Sequence, residues 1–289
     1  MEQEKVIDRI NALPGMEDFK AFCERLVQTA NNMKSLNIKS IPLPDLIFAA
    51  DPGCGVTMHI RLLSELLKEL KLMQFIGEEE YFEWSLQNDQ DSLKHFFIRT
   101  RRAAGFYGRF QGVIGLDIKA LLNLEKGHSI FDKLMEYVTS QQEKIMFVFV
   151  IPYHTHKKTQ QQLIGRFASY SPVELIPMPF PVKEALYYIT DELSGKGFFV
   201  TEEAQQTLKT AIMTMNASHD FEGYQTLQTL TKEILWRRMS QLPPLDENIT
   251  AADIRFILED NGYFAALNAS SRAGETRKVG FGEEAHKDV

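Results

Sequence analysis

Up to about Pro181, five short apolar runs alternate with stretches of helical periodicity. Leu46–Ala50, Tyr81–Leu86, Gly112–Asp117, Ile145–Ile151 and Val173–Met178 read as strands. The first, third and fourth are nearly all apolar, as strands covered on both faces of a parallel sheet must be. Met58–Lys71 puts Ile60, Leu63, Leu67 and Leu70 on one stripe, with Arg61, Glu65, Lys68 and Glu69 outside it. That spacing predicts an amphipathic helix, and Phe131–Gln142 predicts another. Strands separated by helices imply right-handed crossovers and a three-layer α/β sandwich.

Beyond Pro181 the alternation stops. Lys183–Leu193, Thr201–Met215 and Tyr224–Met239 all carry helical spacing, and Thr201 followed by Glu202 and Glu203 is a good helix start. Thr250-Ala-Ala-Asp opens one more helix, running to about Glu259. The expected organisation is an α/β body over residues 1–181 and an all-helical lid over 182–262. The tail, 263–289, is polar and glycine-bearing from about Asn268 and is expected to be disordered.

Composition alters this picture little: 44% hydrophobic and 25% charged residues are ordinary for a globular chain. A net charge of −7 and a pI near 5.6 lack the basic footprint of a nucleic-acid binder. Arg99, Arg101, Arg102 and Arg109 cluster, and read as the solvated face and end of a helix. The charged opening Met1–Arg9 is no secretion signal, and no segment reaches the roughly 20 apolar residues of a membrane span. Two cysteines, Cys23 and Cys54, make no disulfide framework, so a cytoplasmic location is expected, without membrane or nucleic-acid partners.

The segment richest in chemistry is Leu46-Ile-Phe-Ala-Ala-Asp-Pro-Gly-Cys-Gly-Val-Thr57, leading straight into the first amphipathic helix. A buried strand, a glycine-bearing turn and a helix N-terminus form a phosphate cradle, because free N–H groups and the helix dipole converge on an anion. Candidate nucleotide-binding residues are therefore Asp51, Pro52, Gly53, Cys54, Gly55, Val56 and Thr57. Against G-x-x-x-x-G-K-[ST], Ala50 takes the first glycine position, Gly55 the second, and Val56 replaces the lysine. Hydrogen bonds to charged groups are worth about 1.5–3 kcal/mol each, so losing that cation weakens nucleotide binding substantially. A plain Asp-Pro-Gly turn is the competing explanation of the loop alone.

Taken together, residues from about 6 to 260 resemble the AAA+ ATPases, in particular the branch containing the sporulation stage V protein K and the red-type Rubisco activases. Ile10-Asn-Ala-Leu-Pro-Gly-Met-Glu-Asp-Phe-Lys20 is similar to that branch's opening segment, and Ala49–Thr57 to its phosphate loop. Lys183–Leu193 and Gly197-Phe-Phe-Val-Thr-Glu-Glu-Ala204 are similar to the start of its lid, and Arg277-Lys-Val-Gly-Phe281 to its ending. The resemblance implies a phosphate-binding-loop NTPase body with a lid, ATP or ADP with magnesium as cofactor, and assembly into rings. Thr57 and Asp117 would then hold the magnesium, and Arg166 within Gly165-Arg-Phe167 would be an arginine finger.

Departures from the family pattern fall on the chemistry. Ile118 stands where a glutamate would polarise water, and an alkane cannot act as a base. Val150-Ile-Pro-Tyr153 replaces a polar sensor, and Glu222-Gly-Tyr-Gln-Thr-Leu-Gln228 lacks the sensor arginine. Gln87-Asn-Asp-Gln-Asp91 offers no aromatic pore residue, while Phe106 and Tyr107 read as core or interface aromatics. The pattern His154-Thr-His156, followed by Lys157 and Lys158, reads as a solvated loop rather than a metal site, and Cys54 as a spacer. The expected function is a catalytically silent AAA+ protein that binds or scaffolds a protein partner or an active relative, as a homo- or hetero-oligomer. A working ATPase with Lys39 or Lys119 as relocated cation is one alternative; a non-hydrolysing nucleotide sensor is another.

Overall fold

The computed structural model describes residues 5–13, 15–50, 53–122, 124–141, 144–216, 221, 223–241 and 246–259. Two compact units emerge, Phe180 onward separating from the residues before it, except that Asp51–Cys54 group with the second. The expected tail, including Arg277–Phe281, lies outside the described residues.

In the first unit α1 (Val6–Asn11) and α2 (Glu17–Leu36) precede β1 (Asp45–Ala50), α3 (Val56–Glu69), β2 (Tyr81–Ser85), α4 (Gln90–Ala104), β3 (Gly112–Asp117), α5 (Leu124–Ser140), β4 (Ile145–Pro152), α6 (Lys157–Ala168) and β5 (Val173–Met178). The five strands form one sheet in the order β2-β3-β4-β1-β5, every neighbouring pair parallel. β1, β3 and β4 are buried nearly throughout, as their apolar runs require, and the edge strands β2 and β5 are half-exposed.

Alternation along the strands sorts the side chains between two faces. Ile47, Ile114, Leu116, Phe147 and Phe149 join one core with Leu93 and Phe96 of α4, Phe131 and Leu134 of α5, and Leu163 and Phe167 of α6. On the other face Phe19 of α2 meets Phe48 edge-on at 5.9 Å, and Ile60 of α3 packs so close over Gly115 that a Cβ there would lie 2.6 Å from its Cδ1. The helices on two faces of a parallel sheet make the α/β sandwich that the alternation implied.

The second unit holds α7 (Val182–Ser194), β6 (Phe199–Val200), α8 (Glu202–Asn216), α9 (Tyr224–Met239), β7 (Asn248–Ile249), α10 (Ala251–Ile254) and α11 (Phe256–Glu259). Leu193, Leu208, Ile212, Leu230 and Ile234 lie in its core. Thr201 accepts from the Ala204 N–H at 3.3 Å, the cap its sequence announced, and Thr250 with Asp253 forms a capping box. The unit is not all helical: β6 and β7 make a parallel pair of two residues each, Phe199 opposite Asn248 and Val200 opposite Ile249. Such a pair is too short to leave a periodic signal in the sequence. Among the described residues no helix is long and apolar enough to cross a membrane.

Candidate functional site

The loop after β1 lies at a switch point of the sheet. β1 and β4 are neighbours, yet α3, which follows β1, covers one face, and α6, which follows β4, covers the other. Connections that diverge from adjacent carboxyl ends open the crevice where α/β proteins bind ligands. Asp51 and Pro52 lie outside the described residues. Gly53 and Gly55 take left-handed φ of 74° and 79°, a conformation that penalises any residue with a Cβ. Gly55 caps α3 without a side-chain bond, Val56 is the first helical residue, and the first turn contains no acid.

Around that helix start the polar groups are already engaged with one another. The Thr57 hydroxyl donates to Glu83 Oε2 at 3.1 Å. Glu83 lies on β2 opposite Gly115, and burial raises its carboxyl above the ordinary range, the Thr57 bond opposing the shift. Asp117 ends β3 and accepts from the Lys119 N–H at 3.0 Å, while the Lys119 ammonium pairs with it at 3.3 Å. Ile118 is fully buried, an alkane in the core. Lys119, a candidate replacement for the absent cation, is thus paired with Asp117, the carboxylate that the resemblance assigned to magnesium. Lys39 is exposed on the segment feeding the amino end of β1, whereas the loop leaves the carboxyl end. Among the described residues no group of three or more His, Cys, Asp or Glu could hold a metal.

His59 stabilises the loop from below. It is 2% exposed, its ring stands edge-on to Phe19 at 4.8 Å, and its Nδ1 lies 2.8 Å from the Gly55 carbonyl. A carbonyl only accepts, so Nδ1 carries the proton, and Nε2 is buried with no hydrogen-bond partner among the described residues. Burial depresses the imidazole below its ordinary 6.5, the Gly55 bond opposing.

Gly53 and Cys54 group with the helical unit. There Gly223, the cap of α9, sits at φ 64° with its backbone against that of Gly53: a Cβ on Gly223 would lie 2.4 Å from the Gly53 Cα. The Gly53 backbone is therefore packed against the cap of α9 within the second unit. The first turn of α9 carries no arginine; Arg237 and Arg238 stand in its last turn.

No protein-family model and no curated protein matches the chain.

The remaining candidates divide cleanly. Arg166 is engaged within its own unit: its Nη2 donates to Asp132 at 2.8 Å and its guanidinium lies over the Phe131 ring at 4.3 Å. His156 is no free loop residue, since its ring accepts from the Lys158 N–H and caps α6. Phe106 and Tyr107, read from sequence as core or interface aromatics, are outside the core. Glu83, His59 and Gly223 had no motif to announce them; the one signal was a glutamate amid the aromatics of Tyr81-Phe-Glu-Trp84.

Cys23 and Cys54 are both buried, and burial pushes the Cys23 thiol up to about 12. Since the thiolate is the nucleophile, Cys23 should not react with a disulfide reagent at pH 8 until denaturant is added. Rapid modification of Cys23 in the native protein, located by peptide mapping, would contradict the packing described.

Proposed function

We propose that the chain is a catalytically silent relative of the AAA+ ATPases that acts as a binding or scaffold subunit, in an oligomer with a protein partner or an active relative. The parallel sheet, the loop at its switch point and the trailing helical unit favour that ancestry. What carries the silent reading is the bond between Thr57 and Glu83: the hydroxyl that would face magnesium is held by a carboxylate of the chain itself. Support comes from Val56 at the lysine position, Ile118 at the base position and Lys119 neutralising Asp117. Phosphoryl transfer needs cation, metal and base to act on one transition state, and these changes remove or occupy all of them.

A nucleotide-sensing role is favoured by the retained left-handed Gly53 and Gly55, which keep the backbone of a phosphate cradle. One preparation separates the possibilities. Purified protein with ATP and magnesium should release phosphate no faster than background, and Asp117→Ala should change nothing. Millimolar ADP with magnesium should raise the melting temperature by less than about 2 °C, as a site of millimolar or weaker affinity dictates. Steady turnover abolished by Asp117→Ala would establish a working ATPase instead; a large ADP shift without turnover would establish the sensor.

A further inference from the structure

At the amino ends of the strands, where β3 and β4 begin, the first unit opens a cleft of about 430 Å³. Phe97, Phe110 and Tyr137 line its buried part, and the exposed side chains of Arg101, Arg109 and Lys144 stand around it. No acidic residue is among those lining it. Among the described residues these three cations make no ion pair and no side-chain hydrogen bond. Their neighbours behave differently: Arg99, on the same helix, is held by both oxygens of Glu79 at 2.8 and 2.6 Å. A chain with net charge −7 has abundant carboxylates, yet none of the described ones neutralises this rim.

The turn beside the cleft is built to present aromatics. Gly105 has φ 51° and ψ −136°, a combination open only to glycine, and Gly108 has φ 66° with open space where a Cβ would stand. Between them Phe106 is fully exposed, at 101%, and Tyr107 is 66% exposed. Exposed aromatics beside arginines are the anchors of protein interfaces.

We propose that this cleft docks an acidic segment of a partner protein bearing an aromatic or aliphatic anchor. Charge complementarity selects the acid, and the aromatic lining selects the anchor; a cleft of this volume holds about one large side chain and its neighbours. A polynucleotide fits less well. Its affinity grows with the number of phosphates neutralised, only three cations are gathered here, and the acidic remainder of the chain repels a long polyanion. The kind of partner rests on the binding-subunit reading; the place rests on the cleft alone.

The test is fluorescence anisotropy of the full chain with a labelled octapeptide of aspartates and glutamates containing one phenylalanine and one leucine. Saturable binding that weakens with salt is expected. Arg101→Glu combined with Arg109→Glu should weaken it roughly tenfold or more, and Phe106→Ala should weaken it several-fold, with unchanged circular dichroism in both variants. No saturation at millimolar protein, equal affinity in the arginine variant, or tighter arginine-dependent binding of a labelled oligothymidylate would each overturn the proposal. Phosphate release measured on the same sample reports on the silent-ATPase reading separately, so either can fail without the other.

Discussion

Gly223→Ala should lower the melting temperature by roughly 10–20 °C, the largest loss expected from any single methyl group in the helical unit. Two costs coincide at this position. A left-handed φ costs a residue with a Cβ about 1–2 kcal/mol, and the Cβ would fall 2.4 Å from the Gly53 Cα, where backbone rather than a flexible side chain must move. Overpacking of that kind costs about 1–3 kcal/mol, and each kcal/mol moves a domain of this size by about 4–8 °C. Gly197→Ala is the control. It has a comparable φ of 85° but nothing within 4 Å of its Cβ, so it should pay the conformational part alone. Equal melting temperatures for the two variants, followed by circular dichroism, would show that Gly223 does not abut Gly53.

The second large effect concerns Asp45, buried at the start of β1. Its carboxylate accepts from the Phe147 N–H at 2.8 Å, but burial outweighs this bond and raises the carboxyl from 3.8 to about 6. Between those values the folded chain holds a proton that the unfolded chain has released. Stability from this group is therefore complete below about pH 4 and is lost as pH rises through 6, a span worth roughly 3 kcal/mol. His59 acts in the opposite sense. Its folded value lies below 6.5, so its contribution is complete above that pH and is lost on acidification. The two slopes have opposite signs and offset each other where the windows overlap. Asp45→Asn keeps an acceptor for Phe147 and removes the titration, so it should raise stability at pH 8 by about 1–2 kcal/mol, net of its unpaired amide N–H groups. It should also leave a profile that climbs with pH through the histidine range. Urea unfolding of both proteins from pH 4 to 8 measures this; parallel curves would show that Asp45 does not titrate in that window.

What could be read in advance was whatever repeats locally. The apolar runs fixed β1, β3 and β4 within a residue or two, the stripe of Ile60, Leu63 and Leu67 gave α3, and Thr201 and Thr250 marked their helices. What could not be read was pairing between distant segments. The Thr57–Glu83 bond joins residues 26 apart, the Arg166–Asp132 pair 34 apart, and the contact of Gly223 with Gly53 depends on two turns that carry no period. His156 illustrates the same limit: its string read as a solvated loop, and only the structure shows that this exposed ring caps a helix. Phe106 and Tyr107 left core and interface both open in the sequence, and a turn bracketed by two positive-φ glycines places them outside the core.

The carboxylate that β2 lends to the start of α3 bears on what a single substitution in this loop could achieve. A helix with no acid in its own first turn has a partial positive charge to satisfy, and the Glu83 carboxyl, its ionisation opposed by burial, reaches that turn through Thr57. A lysine placed at position 56 would add a cation to a helix start whose Thr57 hydroxyl Glu83 already holds. On the proposed reading, removing Glu83 to free Thr57 would have to accompany that lysine before a phosphate and its metal could be held together.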